Sequence, residues 1–253
     1  MSDYNKWNTA ARGGYAGQTA AVDAGLRAYM LRVYNYMAAA VALTGVASWV
    51  TYNAAVVTDA ATGKGTLTSF GQALYSGPAS IVLLLGTLGL VFFISFRINR
   101  LQYTTAMALF MLYAALLGVM LSSIFLTYTG ASITRVFFIS AASFGALSLY
   151  GYTTQRDLSA MGSFLIMGLF GIIIASLVNI FLKSSGLDWA ISVLGVGIFA
   201  GLTAYDTQRI KEMYDSMDDD GTIGRKAIMG ALSLYLDFIN LFMMLLRLVG
   251  DRR

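Results

Sequence analysis

The sequence predicts an all-α integral membrane protein, a seven-transmembrane-helix bundle. Three observations carry that prediction. Of 253 residues, 57% are hydrophobic and only 12% charged, about half the charged share of an ordinary soluble domain. Mean hydropathy is +0.67. The apolar residues also fall in seven runs, each near the roughly 20 residues that cross a bilayer core about 30 Å thick.

Residues 1–28 are polar and rich in Gly and Ala (Asn5, Asn8, Gly13, Gly14, Gln18). They lack a short apolar core with a cleavage site and carry no lipidation motif, so they predict a flexible polar tail ahead of a membrane domain over 29–250. The uncharged runs are Val33–Thr58, Gly65–Phe96, Leu101–Thr134, Val136–Gln155, Leu158–Leu182 and Trp189–Tyr205; Ala227–Leu246 is interrupted only by Asp237. The first ends in Trp49, Tyr52 and Asn53, a composition suited to the interface. In the second, Gly65–Gly77 reads as a polar loop and the helix starts at Pro78, the chain's single proline, where a missing N–H costs nothing. The helices are therefore expected near 30–52, 79–97, 103–127, 132–151, 161–182, 189–212 and 227–249. The longest links, 53–78 and 213–226, are too short for a second domain.

Alternate connections differ in basic charge. One side holds Lys6, Arg12, Arg27, Arg32, Arg97, Arg100, Arg156, Arg209, Lys211, Arg225 and Lys226, and the other Lys64, Arg135, Lys183, Arg247, Arg252 and Arg253. Eleven against six puts the N-terminus in the cytoplasm. The net charge of +4 is thus scattered through short loops, which suits a lipid bilayer and not nucleic acid. Small residues recur within the spans, at Gly86, Gly89, Gly168, Gly171, Gly195, Gly197 and Gly201, as close helix packing requires.

Several chemistries are excluded. With no cysteine there is no disulfide or thiol nucleophile, and with no histidine there is no Ser-His-Asp triad and no usual zinc ligand. What remains is a pair of acids. Asp206 follows 17 uncharged residues in the sixth span, and Asp237 lies near the middle of the seventh. A carboxylate in hydrocarbon costs several kcal/mol unless it is paired, hydrated or protonated. The two spans are antiparallel neighbours, and both acids fall about 12–15 Å from the same side. Two carboxylates in one low-dielectric site titrate as a unit. They can share a proton, bind a hard cation such as Ca²⁺ or serve as an aspartic protease dyad. Thr203, Thr207, Gln208, Tyr235 and Asn240 are nearby oxygen donors, Arg97 is the same-side counter-charge, and no resident cofactor is required.

Two segments resemble a known family. Ala204-Tyr205-Asp206-Thr207-Gln208-Arg209-Ile210-Lys211 and Ser233-Leu234-Tyr235-Leu236-Asp237-Phe238-Ile239-Asn240-Leu241-Phe242, with Arg156-Asp157-Leu158-Ser159, resemble the Bax inhibitor-1 (transmembrane Bax inhibitor motif) family over about residues 28–250. The resemblance implies a bundle with the last helix central and a pH-sensitive calcium leak channel. In it Asp206 and Asp237 form a paired sensor for Ca²⁺ and H⁺, latched by Arg97, with Arg100 the alternative. The acidic residue that some members carry in the second span is missing here. The wording of the motifs looks like a bacterial inner-membrane member. For such members the resemblance also implies a membrane-protein partner, a membrane-anchored AAA protease, with the N-terminus as a handle.

Rival readings meet specific obstacles. An intramembrane aspartyl protease lacks the G-x-G-D and Pro-Ala-Leu segments, and a retinal protein lacks a lysine within the last helix beyond Lys226. A membrane interaction or regulatory protein stays open as the alternative.

Overall fold

The seven expected spans are seven long helices in the computed structural model, which describes residues 23–58 and 65–253. The expected N-terminal tail lies, up to residue 22, outside the described residues. In chain order come α1 (Asp23–Ala55), a hairpin of β1 (Val56–Thr58) and β2 (Gly65–Leu67), α2 (Ser69–Ser76), α3 (Pro78–Arg97) and a 3-10 turn at Ile98–Arg100. Then follow α4 (Tyr103–Leu121), α5 (Ile124–Thr127), α6 (Gly130–Thr153), α7 (Ser159–Leu182), α8 (Ser185–Glu212) and α9 (Asp220–Val249).

Caps fix the ends that hydropathy left approximate. Thr129, Ser184 and Asp219 accept hydrogen bonds from the backbone N–H groups of Ser132, Leu187 and Thr222, satisfying donors at the starts of α6, α8 and α9. Lys183 closes α7 in the left-handed region (φ 49°). Pro78 sits at the first turn of α3, as expected.

Three expectations need correction. The seventh helix begins at Asp220 and not near 227, because Asp219 caps it and Asp220 lies in its first turn, where negative charge complements the helix dipole. The link expected over 213–226 is therefore shorter, since residues 220–226 are the first turns of α9. Residues 65–77 are not a loop throughout: β2 pairs antiparallel with β1, and Thr68 caps α2. The third span is interrupted between α4 and α5, where the Ser122 hydroxyl bonds the Val119 carbonyl and Tyr75 from α2.

The last helix is central, as the family resemblance implies. It packs against α1, α4, α6 and α8, whereas α3 packs chiefly on α2 and α4, and α7 on α8. Buried residues make up 61% of the most apolar stretch of α9, against 11% in α3 and 6% in α7. Outer faces carry large bare side chains, including Phe164, Phe170 and Phe181; lipid, not water, is the solvent such faces need. The chain is thus a multi-pass membrane protein.

Packing around α9 is specific. Phe137 and Phe144 of α6 meet Phe238 edge to face, and Phe110 and Tyr113 of α4 do the same to Tyr235. Of the glycines expected to bring helices together, Gly168, Gly195 and Gly201 do so, against Ile198, Met244 and Leu165. Gly86, Gly89, Gly171 and Gly197 face open space, so the G-x-x-x-G of α8 is half a packing motif. Gly151 lets α6 lie backbone to backbone on α8, because a Cβ there would run into the Ala204 backbone carbonyl. Gly151→Leu should therefore separate α6 from α8 and destabilise the protein by about 1–3 kcal/mol, read as a lower thermal unfolding midpoint in detergent. An unchanged midpoint would refute the close contact.

Candidate functional site

Helices α8 and α9 run antiparallel in a fixed register. Gly230 lies against Ile210 near one end, and Gly195 against Met244 near the other. Between these points the register brings Asp206 level with Asp237. Asp206 is six residues, about 9 Å, from the end of α8.

The two side chains face the same cavity within electrostatic reach of each other, and no hydrogen bond joins them. Asp237 is only 5% exposed, and its Oδ2 has no hydrogen-bond partner. Asp206 is half-buried, with the Arg209 guanidinium one turn further along α8 as its nearest cation. All three line a cavity of about 650 Å³ walled by α7, α8, α9 and Phe92 of α3, into which Ser233 and Asn240 also open. Among the described residues no ion pair reaches either aspartate within 4 Å.

The oxygen donors expected to assist divide into two groups. Asn240 is at the cavity, its amide donating to the Leu236 carbonyl. Thr203 and Thr207 are buried and bonded within α8, and Thr207 also meets the Ser148 hydroxyl of α6. Tyr235 points away from the acids, because two residues along a helix is more than half a turn; its hydroxyl bonds Thr44 of α1 at 2.7 Å. Gln208 holds the turn between α6 and α7, accepting from the Leu158 N–H and donating to the Arg156 carbonyl, both at 2.8 Å. The two sequence segments around Arg156 and Gln208, widely separated in the chain, are one hydrogen-bonded unit. Asp157 completes that turn by accepting from Ser159, and this bond holds its carboxyl below the usual range.

Arg97 stands exposed at the end of α3 and forms no ion pair with Asp206; Arg100 is likewise exposed. Sequence reasoning did not single out Arg209 or Ser233. Their signal was spacing, since Arg209 is three residues after Asp206 and Ser233 four before Asp237, on the same helix faces.

The acids present limit what the site can hold. Among the described residues, no three His, Cys, Asp or Glu side chains cluster as a metal site. Two carboxylates with the neutral oxygens of Ser233 and Asn240 make an incomplete shell for a hard cation, which water would have to finish. Such a shell suits an ion in passage better than one resident in the fold.

Comparison with known proteins bears on all of this. The family model described as Inhibitor of apoptosis-promoting Bax1 matches residues 26–253. The Rickettsia prowazekii protein RP147 is 48% identical over 253 residues, covering the whole of both chains. The Escherichia coli inner membrane protein YbhL is 46% identical over 233 residues, 91% of this chain and 94% of its own. A Caulobacter vibrioides protein is 42% identical across both full lengths.

Two outcomes test the local chemistry. Gln208→Ala strands the buried Leu158 N–H and should cost about 1–3 kcal/mol, with the first protease cleavage moving to the α6–α7 turn; retention of the wild-type midpoint and cleavage pattern would contradict the clamp. Asp219 is also held below the usual carboxyl range, by its bonds to Thr222. The capping it supplies is present above its unfolded value and lost as pH falls through its lower folded one. Hydrogen-exchange protection at Thr222 and Ile223 should fall at acid pH, and Asp219→Asn, an equally good cap, should remove that acid step.

Proposed function

We propose, on the premise that this chain belongs to the Bax inhibitor-1 family, that it is a pH-sensitive cation leak pathway of the bacterial inner membrane, with Ca²⁺ as cargo and the Asp206–Asp237 pair as its gate. The N-terminus is assigned to the cytoplasm, on the side richer in Lys and Arg.

The observation that carries the reading is the unpartnered Oδ2 of Asp237, buried beside a second carboxyl group at the edge of a cavity. A buried aspartate kept for stability alone would have a cation or donor locked to it. Here it has another acid. Such a pair is satisfied by a proton held between its members or by a cation in the proton's place, so occupancy by H⁺ and by Ca²⁺ is mutually exclusive. Competition between the two makes the leak respond to pH.

Arg209 and Arg97 take different parts. Arg209 already stands beside Asp206 and offers its carboxylate a guanidinium when no cation is bound. Arg97 closes the pathway only if the end of α3 swings inward to Asp206, a movement open to a helix that packs chiefly on α2 and α4. Ser233 and Asn240 supply neutral oxygens on the way past the pair.

Calcium uptake into proteoliposomes, followed from mildly acidic to mildly basic pH, tests this reading. Asp237→Asn should lower flux about tenfold or more, the scale of losing an outer-shell partner at a metal site. Asp206→Asn should flatten the pH dependence. Wild-type flux in both variants ends the proposal. Cleavage of an intramembrane peptide that needs both acids would replace it with the protease reading.

A further inference from the structure

A second cavity, of about 950 Å³, lies on the far side of α9 between α1 and α6. Helix α1 packs chiefly on α4 and α9, and α6 on α8 and α9, so the two hardly touch each other. They meet through the hydroxyls of Tyr34 and Ser148, 2.6 Å apart, which satisfies both groups and leaves the lining apolar. Phe238 forms the floor, and Arg27 and Tyr152 stand at one end. From Arg27 to Gly45 the groove follows α1 for 18 residues, about 27 Å, close to the roughly 30 Å of a bilayer core.

We propose that this groove binds one anionic glycerophospholipid, with an acyl chain between α1 and α6 and its phosphate beside Arg27. Both walls are membrane spans, so the groove opens sideways onto hydrocarbon. Water finds no free polar partner along it, and an empty void forfeits the dispersion contacts of its lining. A lipid tail supplies them.

The charge at the end of the groove decides the headgroup. Arg27 is exposed and, among the described residues, in no ion pair. Lys211 adds a second cation over the Tyr152 ring, 5.4 Å from its centroid. Basic positions between transmembrane helices at a membrane face take anionic headgroups.

Two glycines keep the groove open. Gly45 and Gly145 line its facing walls, and a Cβ at either would have no atom within 4 Å. Leucine at both positions therefore enters free space, so it fills the groove without disturbing the helices. The site stands apart from the acidic pair, yet Phe238 follows Asp237 directly in α9, so a bound chain bears on the segment that carries the pair.

Native mass spectrometry of the full chain in detergent tests the site, with phosphatidylglycerol and phosphatidylcholine as probes. Wild type should retain one phosphatidylglycerol with a preference of about fivefold, the scale of one basic residue at an anionic surface. The Gly45→Leu/Gly145→Leu variant, eluting as wild type on size exclusion, should lose that adduct. Arg27→Gln, at an exposed position, should lose most of that preference and keep only what Lys211 supplies. Undiminished retention in the double variant overturns the groove assignment, and undiminished preference in Arg27→Gln overturns the headgroup assignment. A dimer that the double variant abolishes would give the groove to a second copy of the chain and also overturn the proposal.

Discussion

A carboxyl oxygen of Asp237 without a partner, deep in a bundle surrounded by hydrocarbon, is the constraint around which the rest of the protein is arranged. Lipid offers no hydrogen bonds, so every polar group must find its partner inside the protein or in what occupies its cavities. The central place of α9 answers that need. It surrounds the acid with α1, α4, α6 and α8 and leaves one side open to the cavity that Asp206 shares.

Helix α8 distributes its polar residues with equal economy. Four consecutive side chains point to three different surroundings. Asp206 faces Asp237, Thr207 faces Ser148 of α6, Gln208 holds the turn before α7, and Arg209 returns to the cavity. A helix turns about 100° per residue, so a polar run of this length reaches all of its neighbours at once. The same turn of α8 therefore carries the acid and fixes three helices around it. Substitutions there will mix effects on stability with effects on the acidic pair, and the two must be measured separately.

The two cavities lie on opposite flanks of α9 and differ in kind. One holds charged and neutral oxygens; the other is apolar, with its hydroxyls paired and its cations at the end. Consecutive residues of α9 serve them, Asp237 the first and Phe238 the second. Edge-to-face contacts from Phe137 and Phe144 hold Phe238, and with it the orientation of the acid.

The amino-acid sequence alone determined the solvent, the number of spans and the pair of acids, because hydropathy and intramembrane charge are properties of composition along the chain. It also located Pro78 as a helix start. It extended the link before α9 to residue 226 instead of 219, since a cap depends on whether a side chain bends back to the backbone, and it gave Gln208, Thr207 and Tyr235 to the acids because they are near in sequence. Only the tertiary structure decided otherwise. Direction around a helix separates neighbours such as Tyr235 and Asp237, while the register of α8 on α9 joins Asp206 to Asp237 across about thirty residues of chain, and neither is written in any single segment.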